Sequence, residues 1–146
     1  MMESREKTKK VLQEELEALR LRIIDNHVRA GQHASGRTSS CLHVSVDENH
    51  GILFGRQAFA VLEEGRRPGK VPKGFYQIIQ QWVKDKNIQV ENPKSFAYLV
   101  SRKIAREGTE LYRNGGRDDI YSRDIEETIK NIMNRVFGIF TEDVAH

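Results

Sequence analysis

Glu63-Glu64-Gly65-Arg66-Arg67-Pro68-Gly69-Lys70-Val71-Pro72-Lys73-Gly74-Phe75-Tyr76-Gln77-Ile78-Ile79-Gln80-Gln81-Trp82-Val83 runs a basic loop straight into an amphipathic segment. Gly65 and Gly69 can supply positive φ, and Pro68 and Pro72 hold φ near about −65°, so the loop is stiff. Arg66, Arg67, Lys70 and Lys73 stand out from it. Beyond Pro72, Phe75, Ile78, Ile79, Trp82 and Val83 follow the spacing of a helix with one buried face. Burying each such side chain stabilises by roughly 1.5–3 kcal/mol, so this helix must dock. The expectation is that Trp82 is largely buried with Phe75, Ile78 and Ile79 beneath a β-hairpin. A rigid basic loop at the rim of a core is a contact surface rather than a hinge. Arg66, Arg67, Pro68, Gly69 and Lys70 are therefore the expected assembly contact.

Upstream, residues 3–28 read as one helix. Leu12, Leu16, Leu19 and Ile23 form a narrow apolar seam among Glu, Lys and Arg, too short to settle on a coiled coil; it suits packing on the chain's own domain or a neighbouring subunit, and self-association is the expectation. Residues 1–29 are accordingly expected as a separate charged helix, and residues 30–146 as a single α+β domain. Ala30 to Ser40 is small and polar, a loop. Leu42, Val44 and Val46 alternate with polar neighbours. Asp47-Glu48-Asn49-His50-Gly51 then turns the chain into Ile52-Leu53-Phe54, which predicts a hairpin. Periodicity leaves residues 57–64 open between helix and strand.

Downstream, Asn92 before Pro93 is an N-cap with proline at the first helical position. That helix is expected to run to about Tyr112, with Phe96, Leu99, Val100, Ile104 and Leu111 inward, and to end at Asn114-Gly115-Gly116. A last helix starts near Ser122 with Asp124, Glu126 and Glu127 in its first turn. Ile125, Ile129, Ile132, Val136 and Phe140 are expected inward. Helix, hairpin and three further helices make the fold class α+β.

At 146 residues the chain fits one domain, and its 31% charged residues predict a well-solvated exterior. A net charge of +3 permits a nucleic-acid partner without pointing to one. With Cys41 as the single cysteine there is no intrachain disulfide, which suits a reducing compartment. No secretory signal and no membrane span is expected.

Chemical motifs are tested and fail. Gly65 to Lys70 is one residue short of a phosphate-binding loop, and Val71 stands where a hydroxyl must ligate magnesium. His27, His33, His43, His50 and His146 lack metal-ligand spacing and read as surface or loop histidines. Cys41 reads as a small buried hydrophobe. The pairs Glu14-Glu15, Glu63-Glu64 and Glu126-Glu127 point to different faces and read as solvated charge. The expectation is a protein with no catalytic residues, metal or cofactor.

Several segments, taken in order, carry a resemblance. Ala34-Ser35-Gly36-Arg37-Thr38 precedes a short strand. Leu62 to Pro72 follows, then a helix ending Trp82-Val83-Lys84-Asp85-Lys86-Asn87-Ile88, then Phe96 to Thr109. As an ordered set over about residues 30–115 these resemble the neck or tail-completion proteins of tailed double-stranded DNA phages and prophages. The resemblance implies a structural virion protein assembled in the bacterial host cytoplasm. It would be a ring homo-oligomer, a hexamer or dodecamer, between the head-closure or connector stack and the tail-tube or tail-terminator proteins, with genome DNA passing through the ring. The charged N-terminal helix and helical C-terminus depart from many relatives. The alternative is a small DNA-binding protein using Arg66, Arg67, Lys70 and Lys73 in the basic loop 65–73, whose binding would fall steeply with salt.

Overall fold

The computed structural model describes residues 2–145. Among them α1 (Met2–Arg29) leads to α2 (Arg37–Ser40) and to a hairpin of β1 (His43–Val46) and β2 (Gly51–Phe54). A 3-10 turn (Gln57–Ala60) continues into α3 (Val61–Glu64). Then come α4 (Phe75–Asp85), α5 (Pro93–Glu107), α6 (Glu110–Arg113) and α7 (Ser122–Ala145). The architecture is α+β, and residues 57–64 are helical. The strands pair antiparallel with Val44 opposite Leu53, and the inward side chains are Val44, Val46 and Leu53. At the turn, Asp47 accepts from the backbone N–H of Asn49 and His50 at 3.0 and 2.9 Å.

Helix ends follow local chemistry. Gly31, at φ 76°, closes α1: Gln32 N donates to His27 O and Gly31 N to Val28 O, the two bonds of a Schellman motif. Asn92 caps α5 by accepting from Ser95 N at 3.1 Å, with Pro93 in the first turn. The helix expected to reach Tyr112 breaks at Gly108 instead. There φ is 80°, and a Cβ would stand 2.7 Å from the carbonyl oxygen of Arg66, so only glycine fits.

The chain folds around two cores that share no residue. In one, Leu19, Ile23 and Leu42 are buried with Leu16, Leu53, Phe59 and Tyr121 packed on them. In the other, Phe75, Ile79, Val83 and Ala97 are buried between α4 and α5, with Phe96, Val100 and Ile104 around them. α1 runs antiparallel along α7, since Arg22 bonds Thr128 while Glu14 and Glu15 bond Arg135.

Further expectations change. The helix of residues 1–29 is not a unit apart, because its length is shared with α7 and the hairpin. Leu19 and Ile23 are buried in the first core, and Gly51 sits over Leu12 and Leu16. The stripe read as a self-association seam is the chain's own packing surface. α4 docks on α5 rather than under the hairpin. Its buried arc is Phe75, Ile79 and Val83, while Trp82 is 38% and Ile78 57% exposed. The small Ala97 brings the two helices close enough that the narrower arc suffices. Leu99, Ile125, Ile129 and Phe140, expected inward, are exposed.

Candidate assembly surfaces

Residues 62–69 are the hub that ties the separate parts together. Gln32 Nε2 donates to Leu62 O at 2.7 Å, and Arg117 N donates to Glu63 O at 2.8 Å. Arg66 N donates to Thr109 Oγ1 and Arg66 O accepts from Thr109 N, both at 2.9 Å, while Gly69 N reaches Ala105 O at 2.8 Å. The stretch therefore holds the ends of α1 and α5 and the approach to α7 in fixed relation.

Glu63 does more than its backbone. Only 3% exposed, its Oε2 accepts from the N–H groups of Ile120, Tyr121 and Ser122 at 3.1, 2.7 and 2.8 Å. Oε1 accepts from the hydroxyl of Ser122. A helix start leaves its first N–H groups without partners and carries partial positive charge. Here a carboxylate from α3 satisfies both needs of α7. Reading Glu63 as solvated charge was wrong. The available signal was a helix opening after Ile120-Tyr121, with no Ser, Thr, Asp or Asn in the capping position.

The expected contact residues share this loop but divide in role. Arg66 is turned inward: its guanidinium lies over the Phe75 ring, 4.9 Å from the centroid. Arg67, Pro68, Gly69 and Lys70 are exposed.

Charge is unevenly spread. From Arg66 to Arg106 there are ten basic and two acidic residues, a surplus of eight against +3 for the chain, so the remainder carries a deficit of five. Among the described residues none of those ten makes an ion pair with a carboxylate. Elsewhere most cations are matched, Lys9, Arg37, Arg56, Arg113 and Lys130 being the exceptions. Arg135 bonds Glu14 and Glu15 at 2.7 and 3.0 Å and holds the Glu14 carboxyl below its ordinary value. Arg117 bonds Asp119 at 2.6 and 2.9 Å, with the same effect on Asp119.

Apolar surface is concentrated as well. On α7, Ile125, Ile129, Met133, Phe137 and Phe140 line one arc, with Phe137 73% exposed. On α5, Tyr98 and Leu99 are exposed beside Tyr76 of α4, the two tyrosine rings edge to face at 6.5 Å. With Lys94 and Ser95 they line a shallow cavity of about 580 Å³. A second cleft, of about 530 Å³, separates α4 from the 32–38 segment and is lined by His27, Arg37, Arg56, Lys73 and Trp82.

Two further readings are corrected. His27 is buried on α1 against Gln32, and burial pushes its pKa down. Cys41 is exposed at the end of α2. His33, His43 and His50 are exposed, while His146 lies outside the described residues. Among the described residues no cluster of three or more His, Cys, Asp or Glu is placed to hold a metal, and no helix is long and apolar enough to cross a membrane. Set beside known proteins, the chain matches no family model, no curated protein and no solved structure.

Proposed function

We propose that this chain is a structural virion protein at the head–tail junction of a tailed phage or prophage, acting by assembly into a ring. The observation that supports this most is the uncovered apolar arc of α7. At roughly 550 Å² it stands at the upper end of the apolar patches that monomers carry, and such patches often serve as protein contacts. The ordered segments of residues 30–115 point the same way through their resemblance to neck and tail-completion proteins. In this reading the rigid 65–70 loop is a further contact with the connector or tail. Its exposed Arg67 and Lys70 reach a partner carboxylate or carbonyl from a backbone that needs little further ordering. Electron microscopy of lysates from a phage lacking this chain tests the proposal. Filled heads and separate tails are expected; joined, infectious particles would overturn it.

A second reading is supported by the charge surplus of eight between Arg66 and Arg106. Ten unmatched cations on one lobe suit a polyanion, so the chain would bind duplex DNA through that face. A gel shift with the isolated protein separates the two readings. Tight binding that weakens steeply with salt favours DNA.

A further inference from the structure

We infer that the apolar arc of α7 docks on the α4/α5 face of a second copy of this chain, head to tail, as the repeating contact of the ring. This rests on the ring reading above and names the surfaces that make it. The two faces lie on different elements and differ in chemistry. On α7 the arc carries Glu126 and Glu127 against one lysine, Lys130, all exposed and, among the described residues, outside any ion pair, so its rim is net acidic by one charge. On the other lobe, Tyr98 and Leu99 are flanked by exposed Lys94, Arg102 and Arg106, which belong to the ten unmatched cations. A net-acidic apolar ridge thus meets a base-rimmed apolar hollow, a complementarity that favours this orientation.

Area supports the match. Taking about 200 Å² for each such residue when fully exposed, the five α7 residues offer roughly 550 Å², and Tyr98 and Leu99 roughly 240 Å² more. The charged rims bring the contact to the ~1,200 Å² at which specific interfaces begin. Phe137, the most exposed of the stripe, is the anchor, and the hollow at Tyr76, Tyr98 and Leu99 is its pocket. Pairing two α7 arcs about a twofold axis would leave the basic face uncovered and close at a dimer. Unlike faces repeat, and the repeat gives a ring where its rotation closes and an open filament where it does not.

The test uses the full chain and two variants, Phe137→Glu and Leu99→Glu, each checked for an unchanged circular-dichroism melt. Sedimentation velocity over a concentration series reads the association. The parent should self-associate, and each variant should weaken association by roughly 30-fold or more. An equimolar mixture of the two variants should form dimers and nothing larger, because one intact pair of faces remains. The parent's association should also weaken with added salt. The inference is overturned by a parent that stays monomeric to millimolar concentration. Association that Phe137→Glu abolishes and Leu99→Glu leaves intact would mean α7 pairs with α7, and association that neither variant alters would place the contact elsewhere. Salt-sensitive capture of duplex DNA by a monomer would assign the basic face to nucleic acid. If the pairing holds while phage lacking the chain still join heads to tails, the junction role falls and the interface stands.

Discussion

Replacing Glu63 by alanine should be among the most damaging single changes in this chain. The side chain is 3% exposed and accepts three backbone N–H bonds and one hydroxyl bond. Tyr121 and Ser122 are half-buried, so their freed groups regain water. Ile120 is fully buried, and its N–H would be left unpaired at a cost of about 1–3 kcal/mol. Loss of the anion at the α7 terminus removes up to about 2 kcal/mol more, and the emptied space adds to it. The expected total is about 3–5 kcal/mol, a fall in Tm of roughly 10 °C for a chain of this size. Glu63→Gln keeps one acceptor oxygen and should cost about 1–2 kcal/mol. Urea unfolding followed by circular dichroism gives the energies, and hydrogen exchange at the Ile120, Tyr121 and Ser122 amides gives the location. An alanine variant within about 0.5 kcal/mol of the parent, or unchanged protection at Ile120, would refute the capping role.

Gly108→Ala should lose at least about 2 kcal/mol, since φ 80° with extended ψ suits glycine alone and the new Cβ would meet the Arg66 carbonyl at 2.7 Å; a thermal melt checks it. Burial holds the pKa of His27 below its ordinary value of about 6.5. The unfolded chain therefore binds a proton that the folded chain refuses. Stability is fully present above about pH 6.5 and is lost as pH falls from there through the folded value. Urea midpoints across that range should show the slope, and His27→Gln should flatten it. Arg66→Ala combined with Arg67→Ala should lose only about 0.5–1 kcal/mol, from the contact over Phe75, and keep the fold, yet block joining of heads to tails; normal joined particles would reduce the loop to a structural turn.

What the sequence made legible is what depends on near neighbours. The Asn92-Pro93 start and the hairpin pairing follow from residues within a few positions of one another. Glu63 was misread because its partners lie 57 to 59 positions downstream, and an adjacent acidic pair looks the same whether solvated or buried. Trp82 was misread for a different reason. Helical spacing selects a face wide enough to include Phe75, Ile79, Val83 and Trp82, but the width that gets covered depends on the partner. Ala97 makes a close, narrow contact, so Trp82 falls outside it. The α7 stripe failed likewise, since α1 covers only the side that carries Thr128.

The modest net charge hid the most informative property of the surface. A balance of +3 reads as ordinary, yet it is the difference between a lobe with a surplus of eight and a remainder with a deficit of five. The fold gains nothing from that division. Like charges within a Debye length, about 8 Å at physiological salt, repel, and ten cations gathered on α4, α5 and their leading loop oppose their own folding. Matching them inside the chain was available to the architecture, since α1 and α7 match theirs through Arg135, Glu14 and Glu15. Under the proposed function, such an arrangement has its counterpart outside the monomer. In the proposed ring that counterpart would be the net-acidic α7 of the next copy, and a surplus of cations would remain on the α4/α5 lobe. Genome DNA, which carries one negative charge per about 1.7 Å of axis, would be the natural neighbour for that surplus if the lobe faces the channel. Neutralising Lys70 and Lys73 together should then leave ring formation unchanged and lower the salt slope of DNA retention by about 2. An unchanged slope would place the surplus on the ring's outer wall.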